Sequence, residues 1–502
     1  MTKRNYLFIG LGIFAAMTLC VGAAFLGIGV YNYYNGQGFD FFTLPAGLPL
    51  SGDQGQEHAE TNTREAGIGS EVDLRQLFAP LWESRELLNE NFLVQPIDDK
   101  VLAEGALAGL EKALEAEGID ISQAVVPEDA KSIEEITGQA GTPDEAKQAF
   151  AVFWETWQKI DYAGYQGELT YQSLMQESLR GMVAALGDDY TSYMDPIQHQ
   201  QSQIDLQGEY EGIGAWVDPT AEYLTITAPM SGSPAEKAGL LPGDRIIAID
   251  GEDMTGIDGN IVITKVLGPA GSLVVLTIDR EGMEPFDVEI IRSKIVPPTV
   301  ETDMFDGDIA YIQLYNFNAN SAGDLHEALA TIMEENPKGL IFDLRNNGGG
   351  YLHTAVSITS EFLDEGIVLI EEYGDGTRDT HEVRSGGIAT QIPIVVLVNE
   401  GTASASEIFA GAIQDYDRGV LVGSVTFGKG LVQLPVTLSN DQGSLRITIA
   451  RWLTPLEHHI QGAGLEPDHL VPSPTFEDVE AGNDAQLDKA LEILWKETGF
   501  IK

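Results

Sequence analysis

The chain has 502 residues, of which 78 are acidic and 28 basic, giving a formal net charge of −50. That balance excludes nucleic acid as a partner, because phosphates demand a basic patch, and it argues against wide contact with anionic lipid; its plain meaning is a solvated surface. With 43% hydrophobic and 21% charged residues the composition is globular, and at roughly 100–200 residues per domain the chain needs several cores.

The first element is apolar. Lys3 and Arg4 precede a run from Tyr6 to Tyr31, and Leu7–Val30 carries no charge. About 20 apolar residues span a bilayer, whereas the core of a signal peptide has about 7–15. No small-x-small cleavage site follows, and Leu19 stands where a lipoprotein signal wants a small residue before Cys20. The next basic residue is Arg64, so the positive-inside bias places Lys3 inside and the rest of the chain outside. The expectation is a single-pass anchor at 1–31 in the cell membrane with everything after it extracytoplasmic; a cleaved signal peptide is the alternative. Cys20 is the single cysteine, so the rest of the chain has neither a disulfide nor a cysteine metal site. Residues 32–70 read as a tether, rich in Gly, Pro, Ser, Glu and Gln between Leu44 and Thr63.

From 71 to 205 the apolar spacing is helical and repeats itself. A shift of 72 residues lays Leu81-Trp82-Glu83-Ser84 on Phe153-Trp154-Glu155-Thr156, and Leu102, Leu107, Gly109, Leu110 and Leu114 on Leu174, Leu179, Gly181, Met182 and Leu186. A duplicated helical hairpin packing on its twin is expected, with chance similarity of two amphipathic helices as the alternative. Pro127–Glu145 reads as an exposed acidic connection with some helix.

Residues 206–295 change to short β-rich runs, Leu224–Ala228, Arg245–Ile249 and Leu273–Asp279, punctuated by Pro242-Gly243-Asp244 and Asp250-Gly251. A short helix is expected from Ser233-Pro234 to Gly239. SPAEKAGLLPGDRIIAIDG resembles a PDZ domain. From 296 to 475 strands (Ala310–Leu314, Gly339–Leu344, Pro393–Val398) alternate with helices (Ala322–Glu335, Leu352–Leu363, Ser406–Asp415), which argues for an α/β layer with a partly parallel sheet. The 476–502 segment is acidic and ends in a helix, Ala485–Glu497. The fold class is therefore α+β and multidomain: membrane helix, helical region, PDZ domain, α/β core.

Three strings in the core invite chemistry. In NEGTASASEIF a strand runs into a turn of small residues and then a helix, with Ser404 at the turn; free N–H groups at the helix start favour developing negative charge. The plain alternative is that Ser404 or Ser406 caps the helix. In VTFGKGLVQ, Lys429 lies between glycines in an apolar run; a desolvated amine without a carboxylate loses basicity and can take a hydroxyl proton. If that run is extended, 429, 431 and 433 share a face, so that Gln433 can hold Lys429. A surface lysine in a hairpin is the alternative. DLRNNGGGYL ends a buried strand in three glycines whose amides can face an oxyanion; no GxGxxG or Walker pattern accompanies it, so a phosphate loop is set aside.

Together the three strings resemble the carboxyl-terminal processing peptidases, or tail-specific proteases, over about residues 71–472. LGDDYTSYMDP (186–196) and WLTPLEHHIQGAGLEPD (452–468) are similar to further segments of that family. The resemblance implies a Ser–Lys dyad with Ser404 as nucleophile rather than Ser406, Lys429 as general base and Gln433 as its partner. It places the oxyanion hole at the backbone N–H groups of Ala405 and Gly349. Gly348 stands where the family usually has proline, and Glu457-His458-His459 where it commonly has a small residue and arginine; no metal ligand set is visible around the histidines. It implies no cofactor and no metal. The PDZ carboxylate loop would be Glu211, Gly212, Ile213 and Gly214, which implies protein substrates with exposed apolar C-terminal tails. Homo-oligomerisation or an adaptor protein stays open. The rival readings are a Ser-His-Asp hydrolase using His353 or His381, although no GxSxG elbow surrounds Ser404, and an inactive PDZ scaffold.

Overall fold

The computed structural model describes residues 72–500 apart from 123, 129, 163–168, 476–477 and 479–480. The anchor expected at 1–31 and the tether at 32–70 lie outside the described residues. Among the described residues no helix is long and apolar enough to cross a membrane.

The first layer is helical and built twice. Helices Leu74–Asn91 and Asp99–Ala116, the second capped by Asp98, are answered by Ala151–Tyr162 and Tyr171–Ala184, the second capped by Thr170. The halves meet reciprocally: Phe78 packs edge-on against Trp154 at 4.8 Å, and Trp82 against Phe150 at 5.0 Å. Phe78 corresponds to Phe150 in the repeat and Trp82 to Trp154, so each contact is the other's mirror across a local two-fold, as in an isologous interface. At the crossing of the second helices a Cβ on Gly105 would lie 2.5 Å from the Gly181 carbonyl oxygen, and one on Gly109 would lie 2.1 Å from that of Glu177. These two contacts are again repeat-equivalent. One pair has diverged: Arg85 Nε bonds Asp99 at 2.6 Å, whereas the corresponding Trp157 and Tyr171 place their rings 5.6 Å apart.

A second unit holds strands Ala215–Asp218, Thr225–Pro229, Arg245–Ile249, Leu273–Asp279 and Phe286–Ile291 in one antiparallel sheet. Alternating burial in Leu273–Asp279 puts Val274, Leu276 and Ile278 in its core. Ala215–Asp218 is an edge strand, and the helix Gly259–Val266 belongs to the same unit.

The core sheet has six strands in the order Val300–Phe305, Ile309–Leu314, Gly339–Asp343, Ile394–Val398, Val420–Gly423 and His469–Leu470; the first pairing is antiparallel and the rest are parallel. Wholly buried strands such as Ile394–Val398 read as continuous apolar runs because both faces are covered. One face carries helices Ser321–Glu334, Leu352–Thr359 and Ala405–Asp415. On the other, Leu487, Ala490, Leu491 and Leu494 of the final helix Ala485–Thr498 pack against Ile309, Ile341, Val395 and Leu397. A second, antiparallel sheet joins Ser192–Met194, Ser444–Leu453, Ile367–Tyr373 and Arg378–Glu382, with Leu431–Thr437 also paired to Ser444–Leu453. The chemistry-bearing strings gather where the parallel strands end beside this second sheet.

Candidate active site

The turn after strand Ile394–Val398 is fastened to the turn after Gly339–Asp343. Thr402 Oγ1 donates to the Leu344 carbonyl at 2.8 Å, Asn346 N–H donates to Asn399 Oδ1 at 2.8 Å, and Ala403 N–H to the Asn347 carbonyl at 3.0 Å. Ser406 is fully buried and its hydroxyl donates to the same Asn347 carbonyl at 2.9 Å, which commits it to holding the two turns together. Ser404 remains partly exposed at the helix start, with φ 55° and ψ −116°. A non-glycine residue in that region stores about 1–3 kcal/mol.

Glu407, one turn into the helix, ties this serine to the lysine segment. Its Oε2 accepts the backbone N–H of Ser404 at 2.8 Å and of Lys429 at 2.9 Å. Its Oε1 accepts Gly428 N–H at 2.7 Å and Thr426 Oγ1 at 2.6 Å. The side chain is fully buried, and burial pushes its pKa up against the pull of these donors. Four donors and no acceptor face it, the pattern of an ionised carboxylate. Sequence reading passed over Glu407 as an ordinary helix residue; an acidic side chain in the first helical turn was the signal available.

Lys429 is gripped by its backbone. Trp452 Nε1 donates to its carbonyl at 2.9 Å, and Gly430 N–H donates to Gln461 Oε1 at 2.8 Å. The flanking glycines are required: Gly428 has φ +87° and a Cβ there would lie 2.7 Å from Gly464 N, while one on Gly430 would lie 2.9 Å from Gln461 N. The amine sits 5.3 Å from the ring centre of Tyr190 and, among the described residues, forms no ion pair. Burial pushes its pKa down to about 8, helped by the positive charge of Arg446 and opposed by Glu407 and Asp188. Tyr190 and Asp188 belong to the 186–196 segment, which therefore walls the lysine.

The remaining candidates fall as follows. A Cβ on Gly349 would lie 2.8 Å from Ala405 N and 2.9 Å from Ser404 Cβ, so the glycine turn lies directly against the serine turn. In this structure the Gly349 N–H donates to Asn347 Oδ1 at 2.9 Å, an Asx turn. Ala405 opens the helix, where amides have no intrahelical acceptor. Gln433 lies in the strand Leu431–Thr437, which begins two residues after Lys429; the extra residue at the register shift opposite Val432 and Gln433 is Ile449 of the partner strand. The Gln433 side-chain nitrogen is buried and, among the described residues, has no hydrogen-bond partner. Gly212 ends the strand Tyr210–Gly212, the Ile213 carbonyl accepts Ala235 N–H at 2.8 Å, and Gly214, at φ +75°, accepts Met230 N–H at 3.0 Å. The histidines are engaged elsewhere: His353 packs on Tyr351 at 4.9 Å, His381 bonds Glu371 at 2.6 Å, and His458 bonds Asp415 at 3.1 Å. Among the described residues none hydrogen-bonds Ser404.

Residues 308–471 match peptidase family S41, and residues 225–280 match a PDZ domain. The carboxyl-terminal-processing protease of Synechocystis sp. is 37% identical over 326 residues, which are 63% of this chain and 76% of that protein. The carboxy-terminal processing protease CtpA of Bacillus subtilis is 34% identical over 304 residues, 60% of this chain and 65% of its own length. Among solved structures, a photosystem II D1 C-terminal processing protease is 24% identical with a TM-score of 0.43, covering 85% of this chain and 98% of that one. Matched core and PDZ unit define a serine-type peptidase that carries a PDZ domain. The chain belongs to the carboxyl-terminal processing proteases of peptidase family S41.

Proposed function

We propose that this peptidase cleaves protein substrates near their C-terminal tails with a Ser404–Lys429 dyad. The observation that carries the reading is the shared Glu407 oxygen, which holds the Ser404 and Lys429 backbones to one atom while the amine stays poorly solvated. In its neutral form Lys429 takes the Ser404 proton, and the alkoxide attacks the scissile carbonyl. The Ala405 amide at the helix start stabilises the oxyanion, joined by Gly349 once its N–H leaves Asn347. The amine leaves with the proton from Lys429, and water then hydrolyses the acyl-enzyme. Gln433, whose side-chain nitrogen has no hydrogen-bond partner among the described residues, is available to orient Lys429 when substrate binds. No metal or organic cofactor enters these steps.

The PDZ unit supplies the tail specificity. Its edge strand Ala215–Asp218 can take a substrate C-terminus as an added strand, with the carboxylate at Gly212–Gly214. Residues 1–31 anchor the enzyme in the cell membrane by a single pass, with the catalytic part extracytoplasmic; cell fractionation with external protease digestion tests this, and a soluble or protected catalytic part refutes it. For the chemistry, Ser404→Ala and Lys429→Ala are assayed on a protein with an unstructured apolar tail. Each is expected to lose several orders of magnitude in rate; full activity in either defeats the dyad.

A further inference from the structure

The turn that carries Gly349 is anchored from beneath by the end of the chain. Arg345 lies two residues before Asn347 and its side chain is only 6% exposed. Its Nε and Nη2 reach Asp343, the last at 2.6 Å, and Tyr311 donates to the same carboxylate at 2.8 Å. Its Nη1 reaches both oxygens of Asp484, at 3.0 and 2.9 Å, and Gln486 Oε1 at 3.2 Å. Asp484 and Gln486 are both buried and open the final helix. Asn347, two residues further along the same turn, holds the site together: its side chain donates to the Leu314 carbonyl at 2.8 Å and accepts Gly349 N–H, and its carbonyl accepts Ala403 N–H and the Ser406 hydroxyl.

The chemistry of this arrangement is specific. A guanidinium fork is planar and rigid, and two carboxylates on opposite edges fix its plane and position. The apolar face of the final helix already covers the sheet, so covering alone demands neither a buried carboxylate nor a buried amide at its start. A buried charge cluster is costly to assemble, which makes a role in fixing geometry the better account of it.

We propose that Asp484 is a positioning residue for catalysis: by gripping Arg345 it sets the Asn347–Gly349 turn against Ser404 and Ala405. Gln486 supports the same grip. The inference rests on Ser404 being the nucleophile beside that turn, and it adds the C-terminal segment to the working parts of the enzyme.

The deciding variant is Asp484→Asn in the full chain. Asparagine caps helices as well as aspartate does, and the Leu487 N–H that bonds Asp484 Oδ1 at 3.0 Å keeps an acceptor. What is removed is the negative charge facing Arg345 and one of the two oxygens that accept from its Nη1. The expected result is a kcat lowered about 10- to 100-fold with KM nearly unchanged and with folded content matched to the parent. An unchanged kcat overturns the proposal, as does a loss that merely tracks unfolded protein. Should Asp484→Asn fail to fold, Arg345→Lys decides: it keeps a positive charge between the carboxylates but not the planar fork that spans both, and a kcat equal to the parent's overturns the proposal. If Ser404→Ala stays active, the reading of the site itself falls; an inactive Ser404→Ala beside a fully active Asp484→Asn defeats this proposal alone.

Discussion

The side chain of Glu407 holds the backbone of Lys429, accepting its N–H at 2.9 Å from within a buried cluster of four donors. Glutamine at this position offers one oxygen and turns two donor hydrogens toward donors. Each buried group left unpaired costs about 1–3 kcal/mol. Glu407→Gln is expected to lower the melting temperature and to reduce kcat at least tenfold, because the Ser404 turn and the Lys429 segment lose their common acceptor. Thermal unfolding and steady-state peptidase kinetics on one preparation check both effects.

In the proposed dyad the working form of Lys429 is the neutral amine, so the rate is expected to depend on pH in a fixed direction. With a folded pKa of about 8, kcat/KM is expected to rise as pH increases and to level off above that value. Arg446 contributes to the depression, so Arg446→Gln makes the amine more basic and moves the rising limb to higher pH. Stability follows the same sign. Between about 8 and the ordinary 10.5 the unfolded chain holds the proton and the folded one does not, so this lysine's destabilising effect is full below 8 and fades as pH rises toward 10.5. A pH–rate profile of parent and variant measures the shift.

In the helical layer the test is steric. A Cβ on Gly109 would sit 2.1 Å from the Glu177 carbonyl oxygen, a backbone atom that cannot swing aside. Gly109→Ala is expected to force the two hairpins apart at a cost of about 1–3 kcal/mol. Ala185 crowds the same crossing at Gly105, so Ala185→Leu is expected to act in the same direction. Differential scanning calorimetry reads both.

For the PDZ unit, Gly214 stands at φ +75° with Ser233 Cβ 2.6 Å from where its own Cβ would be. Gly214→Ala is expected to distort the carboxylate loop and weaken binding of a peptide with an apolar C-terminus. Titration calorimetry with that peptide and its C-terminal amide gives the comparison: parent binding should need the free carboxylate.

How far these features could be read from the sequence depended on how local their causes were. The strand expected at Ala310–Leu314 runs Ile309–Leu314, and the helix expected at Ala322–Glu335 runs Ser321–Glu334, because apolar period and turn residues set both. The helix expected at Leu352–Leu363 stops at Thr359, where it breaks into turns. The 72-residue repeat was legible because Trp82 and Trp154, and Gly109 and Gly181, keep equivalent places. The antiparallel sheet around Ser444–Leu453 was not, since apart from the neighbouring Leu431–Thr437 its partners lie far apart in the chain and nothing local names them. Ser404 and Lys429 stood out by their small neighbours. Glu407 did not, because its function lies in accepting backbone hydrogens that no side-chain pattern records. Gln433 was placed by assuming an extended run from Lys429, whereas the strand itself begins at Leu431. Arg345 and Asp484 are 139 positions apart, and only the folded sheet brings them together.

Ser404 occupies a backbone conformation that glycine adopts at no cost and serine does not. On the proposed reading the enzyme thus keeps its reactive hydroxyl at a spot where the backbone favours having no side chain at all. An inactive Ser404→Gly protein should accordingly outlast the working one on heating, while Ser404→Ala, equally inactive, should gain nothing. Durability and turnover are set against each other in a single residue, and a pair of melting curves would reveal the size of that compromise.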